Sequence, residues 1–326
     1  MLHNLFNWFY LNRNKVMDKD SRIFIAGNKG MVGSALENLL GKEGYQNLIV
    51  RSKSELDLQD QNATKEFFLK EKPEYVFLAA AKVGGIYANN TYPAEFIYNN
   101  LQIQNNVIHY SWKVGVKKLL FLSSNCAYPK NCPQPMKEEY LLTGSLESTN
   151  EPFAVAKIAG IKMCEAYNKQ YGINFTSVIP ASLFGPNDSF DLENAHLVPT
   201  LIRKFHEAKV QNADKVTLWG TGKPRRELMC VDDAARACLF LMQNYDSSSA
   251  INAGLGKDLC VRDIAGLVKD VVGFKGEVAF DTGKPDGMMQ KLLDSSKING
   301  LGWQAKTNLK EDLEKTYEWF KKFTKD

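Results

Sequence analysis

Glycines at positions 27, 30 and 33 lie between a short apolar run, Arg22-Ile-Phe-Ile-Ala26, and a helix-patterned stretch, Val32 to Leu40. A strand that passes through a glycine turn straight into a helix is how a parallel, doubly wound α/β sheet begins. The glycines let backbone approach a pyrophosphate, which then sits on the helix N-terminus. A tight turn without a ligand is the competing reading of the glycines alone, and the strand–turn–helix context argues against it. The segment Gly27, Asn28, Lys29, Gly30, Met31, Val32, Gly33 is therefore expected to bind a dinucleotide.

The rest of the chain keeps the same rhythm up to about Pro180. Asn47-Leu-Ile-Val50, Tyr75-Val-Phe-Leu-Ala-Ala80, Lys118-Leu-Leu-Phe-Leu122 and Phe175-Thr-Ser-Val-Ile179 read as further strands. Ile97 to Val114 and Phe153 to Gln170 read as helices, the second ended by Gly172. Beyond Pro180 the pattern loosens into Gly- and Pro-rich pieces such as Trp219-Gly-Thr-Gly-Lys-Pro224. The expected fold is a Rossmann-type doubly wound parallel sheet over 21–184. A smaller C-terminal substrate-binding lobe follows over 185–326, with segments returning to the first domain. Residues 1–20, with the aromatic run Leu5-Phe-Asn-Trp-Phe-Tyr-Leu11, are expected to form a flexible or surface-docked extension.

Composition removes several function classes. A formal charge of +4 on 326 residues is too small for a nucleic-acid binder, though it suits an anionic small ligand. Six cysteines without a C-x-x-C pair or a histidine cluster indicate neither a disulfide framework nor a metal site. Reduced thiols and a cytoplasmic location are the expectation, and no apolar run is long enough to span a membrane. After the second strand, where an NAD enzyme places an acidic residue for the ribose 2′-hydroxyl, stand Arg51 and Lys53. Two cations there favour a 2′-phosphate and hence NADP; a plain surface arginine is the competing reading.

Two longer blocks narrow the class. Ala79-Ala-Ala-Lys-Val-Gly-Gly-Ile-Tyr-Ala-Asn-Asn-Thr-Tyr-Pro-Ala94 and Asn150-Glu-Pro-Phe-Ala-Val-Ala-Lys-Ile-Ala-Gly-Ile-Lys162 resemble the GDP-L-fucose synthases. These enzymes are also described as GDP-4-keto-6-deoxy-D-mannose 3,5-epimerase/4-reductases, within the extended short-chain dehydrogenases. The G-x-x-G-x-x-G spacing is the form typical of that wider group. The similarity runs over roughly 21–326. It implies NADPH as cofactor, a GDP-4-keto-6-deoxyhexose as substrate, and a homodimer through helices resembling Ile97–Val114 and Phe153–Gln170. The composition of those helices also fits burial within one chain.

The resemblance implies roles residue by residue. Ser124 matches the serine that hydrogen-bonds the C4 oxygen, and Cys126 the cysteine that removes protons at C3 and C5. His196 matches the histidine that returns protons from the other face and also lies near the cofactor. Lys157 matches the lysine that holds the nicotinamide ribose. Leu122, Ser123, Ser124, Asn125 and then Pro180, Ala181, Ser182, Leu183 match the two segments beside the nicotinamide. Lys204, Trp219, Arg226 and Asp286 match positions that hold GDP and the sugar. The chemistry of the residue types agrees, because epimerisation beside a ketone needs a base on one face and an acid on the other. The competing readings are loop packing for Trp219 and a solvated basic pair for Arg225 and Arg226.

One departure bears directly on the reaction. The family places a tyrosine one helical turn before the lysine, and here that position is Phe153, which keeps the ring and loses the transferable proton. Asn125, Ser123 and Ser182 also depart, at positions where the family has serine, glycine and asparagine. Three readings follow: a full epimerase/reductase, an epimerase with weak or no reduction, and a non-catalytic nucleotide-sugar-binding homologue.

Overall fold

A computed structural model describes residues 17–284 and 286–323. Most of the expected N-terminal extension lies outside the described residues; Met17 is buried in the main core.

The first half alternates β1 (Ile23–Ala26), α1 (Met31–Lys42), β2 (Leu48–Ile49), α2 (Gln61–Glu71), β3 (Tyr75–Leu78), α3 (Ile86–Thr91), α4 (Pro93–Lys113), β4 (Lys118–Leu122), α5 (Glu151–Tyr171) and β5 (Phe175–Pro180). The second half adds β6 (Ser182–Phe184), α6 (Leu197–Val210), β7 (Lys215–Trp219), β8 (Arg225–Arg226), β9 (Leu228–Cys230), α7 (Val231–Asn244) and β10 (Ile251–Ala253). It closes with β11 (Leu259–Cys260), α8 (Val261–Val272), β12 (Glu277–Asp281), β13 (Gln290–Lys291), α9 (Ser296–Gly300) and α10 (Leu309–Phe323).

Six strands form one parallel sheet in the order β10-β5-β4-β3-β1-β2. β1, β3 and β4 are apolar and buried almost throughout because helices cover both faces of the sheet. The strand order reverses between β1 and β3, so the crevice at their carboxyl ends is where such a sheet accepts a ligand. β10 is the segment that returns from the second half to pair with β5. A second core, built around Phe184, Ile202, Phe205, Ile264, Val268 and Leu313, packs α6, α8 and α10 together beside the sheet.

Local chemistry fixes the element ends near the crevice. Asp60 caps α2 through the Asn62 and Ala63 amides, and Gly172 ends α5 with φ +65°. Gly160 lets α5 lie directly on the sheet: a Cβ there would sit 2.3 Å from the Phe121 ring.

Candidate active site

The cradle after β1 has no room for side chains. Gly27 has φ +90°, and a Cβ on it would lie 2.7 Å from the Ala80 backbone at the end of β3. A Cβ on Gly33 would meet the Gly27 carbonyl oxygen at 2.1 Å, so α1 and the turn touch through backbone alone. Gly30 caps α1 without a side-chain hydrogen bond, and the first turn holds no acidic residue. Its amide donors and positive dipole end therefore remain available to a phosphate. Two shielded polar atoms at this edge, Asn28 Oδ1 and Ser123 Oγ, find no hydrogen-bond partner among the described residues. A bare backbone cradle with unsatisfied polar atoms beside it fits a dinucleotide. Arg51 follows β2 and already donates to Glu71 Oε1 at 2.7 Å and to the Val50 carbonyl at 2.7 Å.

The lysine and the ring that replaces the tyrosine stand together on α5. Lys157 is 4% exposed and donates to the Leu122 carbonyl at 2.9 Å. Its Nζ lies 4.9 Å from the centre of the Phe121 ring and 5.7 Å from that of Phe153. No carboxylate compensates it, and burial pushes its pKa down to about 7. Phe153 is buried edge-on against Phe96, with ring centres 6.2 Å apart, in a small cluster with Ala88 and Cys126. Ser124 ends the β4 segment, and its Oγ accepts from the Cys126 amide at 3.2 Å. That leaves the Ser124 O–H to donate elsewhere. Pro180, Ala181 and Ser182 lie on the neighbouring strand end, where Ala181 bonds to Ala253 and Ser182 to Glu227.

Cys126 has polar company that its sequence position does not reveal. Asn150 Nδ2 lies 3.3 Å and Lys291 Nζ 3.5 Å from its sulfur. Lys291 is on β13, whose register sets it beside Arg226 on β8. Arg226 is half-buried and its pKa is lowered, first by desolvation and then opposed by Cys126 and Asp286. Thus the thiol, a lysine and an arginine from segments far apart in sequence stand close together.

His196 caps the start of α6 with its side chain 44% exposed. Its loop is pinned to the β3 side of the crevice by Gly85 N donating to the Asn194 carbonyl at 2.7 Å. Gly85 is backbone-tight here: a Cβ would come 2.4 Å from the Ala195 carbonyl oxygen. Lys204 is partly buried two turns further along α6. Trp219 ends β7 and is 60% exposed, with Lys284 Nζ 5.4 Å from its ring centre. The Asp286 carboxylate accepts from Thr221 N at 2.7 Å and Thr221 Oγ1 at 2.8 Å, so it ties down the turn after Trp219.

Comparison with known proteins fits this geometry. The profile of the NAD dependent epimerase/dehydratase family matches residues 23–254. GDP-L-fucose synthase 1 of Arabidopsis thaliana is 53% identical over 309 residues, 95% of this chain and 96% of the relative. GDP-L-fucose synthase of Escherichia coli K12 is 50% identical over 308 residues, 92% and 96% of the two chains. The chain belongs to the GDP-L-fucose synthase family. A structure of a GDP-mannoheptose C4 reductase from Campylobacter jejuni with NADP bound superposes with a TM-score of 0.86 at 44% identity, covering 94% of this chain and 99% of the other.

Within this GDP-L-fucose synthase fold the six cysteines separate by environment. Burial pushes the Cys164, Cys230 and Cys238 thiols up to about 12, which removes them as bases. Cys126 is half-buried, with Lys291 Nζ beside its sulfur. The residues that sequence reading missed are Asn150 and Lys291. Asn150 stands at the head of a recognised block, but nothing local ties it to a sulfur 24 positions away. Lys291 lies 165 positions from Cys126, and only the pairing of β13 with β8 brings it there.

Proposed function

We propose that this chain is an epimerase/reductase that inverts C3 and C5 of GDP-4-keto-6-deoxy-D-mannose and reduces C4 with NADPH, giving GDP-L-fucose. The observation that carries the reading is the Cys126 thiol at the carboxyl end of β4, flanked by Lys291 and Asn150 and adjacent to the Lys157 cradle. The 50% and 53% identical relatives support the same assignment.

The C4 ketone makes the hydrogens at C3 and C5 removable, because the electrons left behind move onto the C4 oxygen. Cys126 takes those protons, with Lys291 and Asn150 donating toward the sulfur and holding it in the cleft. Ser124 donates its free O–H to the C4 oxygen and stabilises the charge that develops there. His196 delivers a proton to the opposite face of each carbon, which inverts it. Arg226 and Lys204 offer cations to the diphosphate, and Trp219 offers a face to the base. Lys157 spends one N–H on Leu122 and keeps the others for the nicotinamide ribose. NADPH, where it binds, supplies hydride to C4; Arg51 and Lys53 favour its 2′-phosphate. Phe153 cannot supply the accompanying proton, so Ser124 is the first residue to do so in its place. The same reading makes the protein a homodimer through α4 and α5.

The test is incubation with GDP-4-keto-6-deoxy-D-mannose and NADPH. Stoichiometric appearance of GDP-L-fucose with loss of NADPH absorbance supports the reading. Absence of both, with a substrate that an authentic GDP-L-fucose synthase converts in parallel, refutes it.

A further inference from the structure

His196 faces a carboxylate that the reaction as described leaves unused. Asp188 lies in the loop between β6 and α6, and its side chain is only 6% exposed. Its Oδ1 accepts from the Ser189 amide at 2.8 Å. Its Oδ2 is shielded from solvent and finds no hydrogen-bond partner among the described residues. A buried carboxylate oxygen without a donor is costly, so a group that completes it is expected nearby. The imidazole of His196 stands beside this carboxylate, with Nδ1 3.8 Å from its other oxygen, Oδ1. That gap exceeds a hydrogen bond, and bonds of this kind commonly tighten once substrate is in place.

The segment that leads from Asp188 to His196 is held at several points. Asp191 accepts from the Glu193 amide and from Asn194 Nδ2, and Arg203 Nη1 donates to the Phe190 carbonyl at 3.0 Å. The Gly85 amide holds the Asn194 carbonyl from the other side of the crevice.

We propose that Asp188 is a positioning residue for His196, its carboxylate accepting the Nδ1–H so that Nε2–H is turned toward the sugar. The inference rests on the proposed epimerisation. In that step the Nε2–H bond breaks and a C–H bond forms at C3 or C5 of the enolate. Cys126 has already taken a proton from the opposite face, and His196 is left neutral with Nδ1–H still held by Asp188. Without the carboxylate, the imidazole loses its fixed orientation and its preferred tautomer.

The experiment compares wild type with Asp188→Asn in heavy water, reading deuterium uptake and configuration at C3 and C5 separately. Removal and return of a proton by Cys126 on one face gives exchange with retention, which does not need His196. The asparagine variant should therefore keep exchanging while inversion falls by about 10²-fold, the loss expected when a general acid is misdirected. Undiminished inversion overturns the proposal, and so does equal loss of exchange and inversion, which marks a merely structural role. A second arm labels the four histidines with ¹⁵N in NADPH-saturated wild type, at alkaline pH where imidazole is neutral, and assigns His196 with His196→Gln. A protonated Nδ1 supports the pairing; a proton on Nε2 alone overturns it. That arm decides the matter if Asp188→Asn does not fold. It also decides if wild type shows no exchange, a result that counts against the substrate and not against the pairing.

Discussion

Phe153 fills the place of a ring but carries nothing that can leave as a proton. Its packing on Phe96 and its 5.7 Å separation from Lys157 Nζ show a site kept in shape around the missing hydroxyl. Phe153→Tyr should raise NADPH-dependent reduction by about 10²-fold or more, followed by NADPH absorbance. An unchanged rate would mean that another residue supplies the proton, with Ser124 the first to mutate. Arg51 is the second residue that can be tested alone. Arg51→Glu should reverse a preference for NADPH over NADH in fluorescence titrations, and equal affinities in the wild type would remove the 2′-phosphate role. Lys157 gives a pH signature. Its pKa falls from 10.5 to about 7 on folding, so between those values the unfolded chain holds a proton that the folded chain has lost. Its burial cost is thus complete below pH 7 and fades as pH rises toward 10.5, with a slope of at most about 1.4 kcal/mol per pH unit. In denaturant titrations Lys157→Met should be more stable than wild type at pH 6, with the gap closing by pH 10.

The elements around the glycine turn were the most legible in the sequence, because each is marked by a run of buried apolar residues bounded by glycine. β1, β3, β4 and β5 fall within a residue or two of their expected ranges, and α1 begins at the predicted glycine turn. α2 escaped because only Thr64, Phe67 and Phe68 are buried on it; the Asp60 cap was its one local signal. β10 escaped because Ile-Asn-Ala is too short to show a period, and its place in the sheet comes from pairing with β5. The tight turn carries its own prediction. Gly33→Ala forces a Cβ against the Gly27 carbonyl, and overpacking of this kind costs about 1–3 kcal/mol. Thermal unfolding should show that loss together with weakened NADPH binding; a variant that binds NADPH normally would mean the turn has slack.

At the scale of the whole molecule, the proposed nucleotide-sugar site draws on both the main sheet and the segments that follow it. Cys126 and Lys157 come from the sheet side, while His196, Trp219 and Lys291 come from segments after β5. The roles proposed for Cys126 and His196 come only through family resemblance, since a lone cysteine or histidine carries no local mark of function. The lysine and asparagine beside the thiol were not readable at all, because both lie far from it in sequence. α4 and α5 pack on each other yet leave Tyr98 and Val155 exposed, as a dimer face requires. Light scattering at micromolar concentration should give a dimer mass, and Val155→Lys should reduce it; a monomeric wild type would contradict that arrangement. No helix among the described residues is long and apolar enough to cross a membrane. The central claim is that Cys126 and His196 work on carbons flanking a C4 ketone. Its most direct test is turnover of GDP-4-keto-6-deoxy-D-mannose in heavy water, with mass and NMR analysis of the GDP-sugar. Solvent deuterium at both C3 and C5, abolished by Cys126→Ala, is the predicted result; product or recovered substrate free of deuterium at both carbons would contradict it.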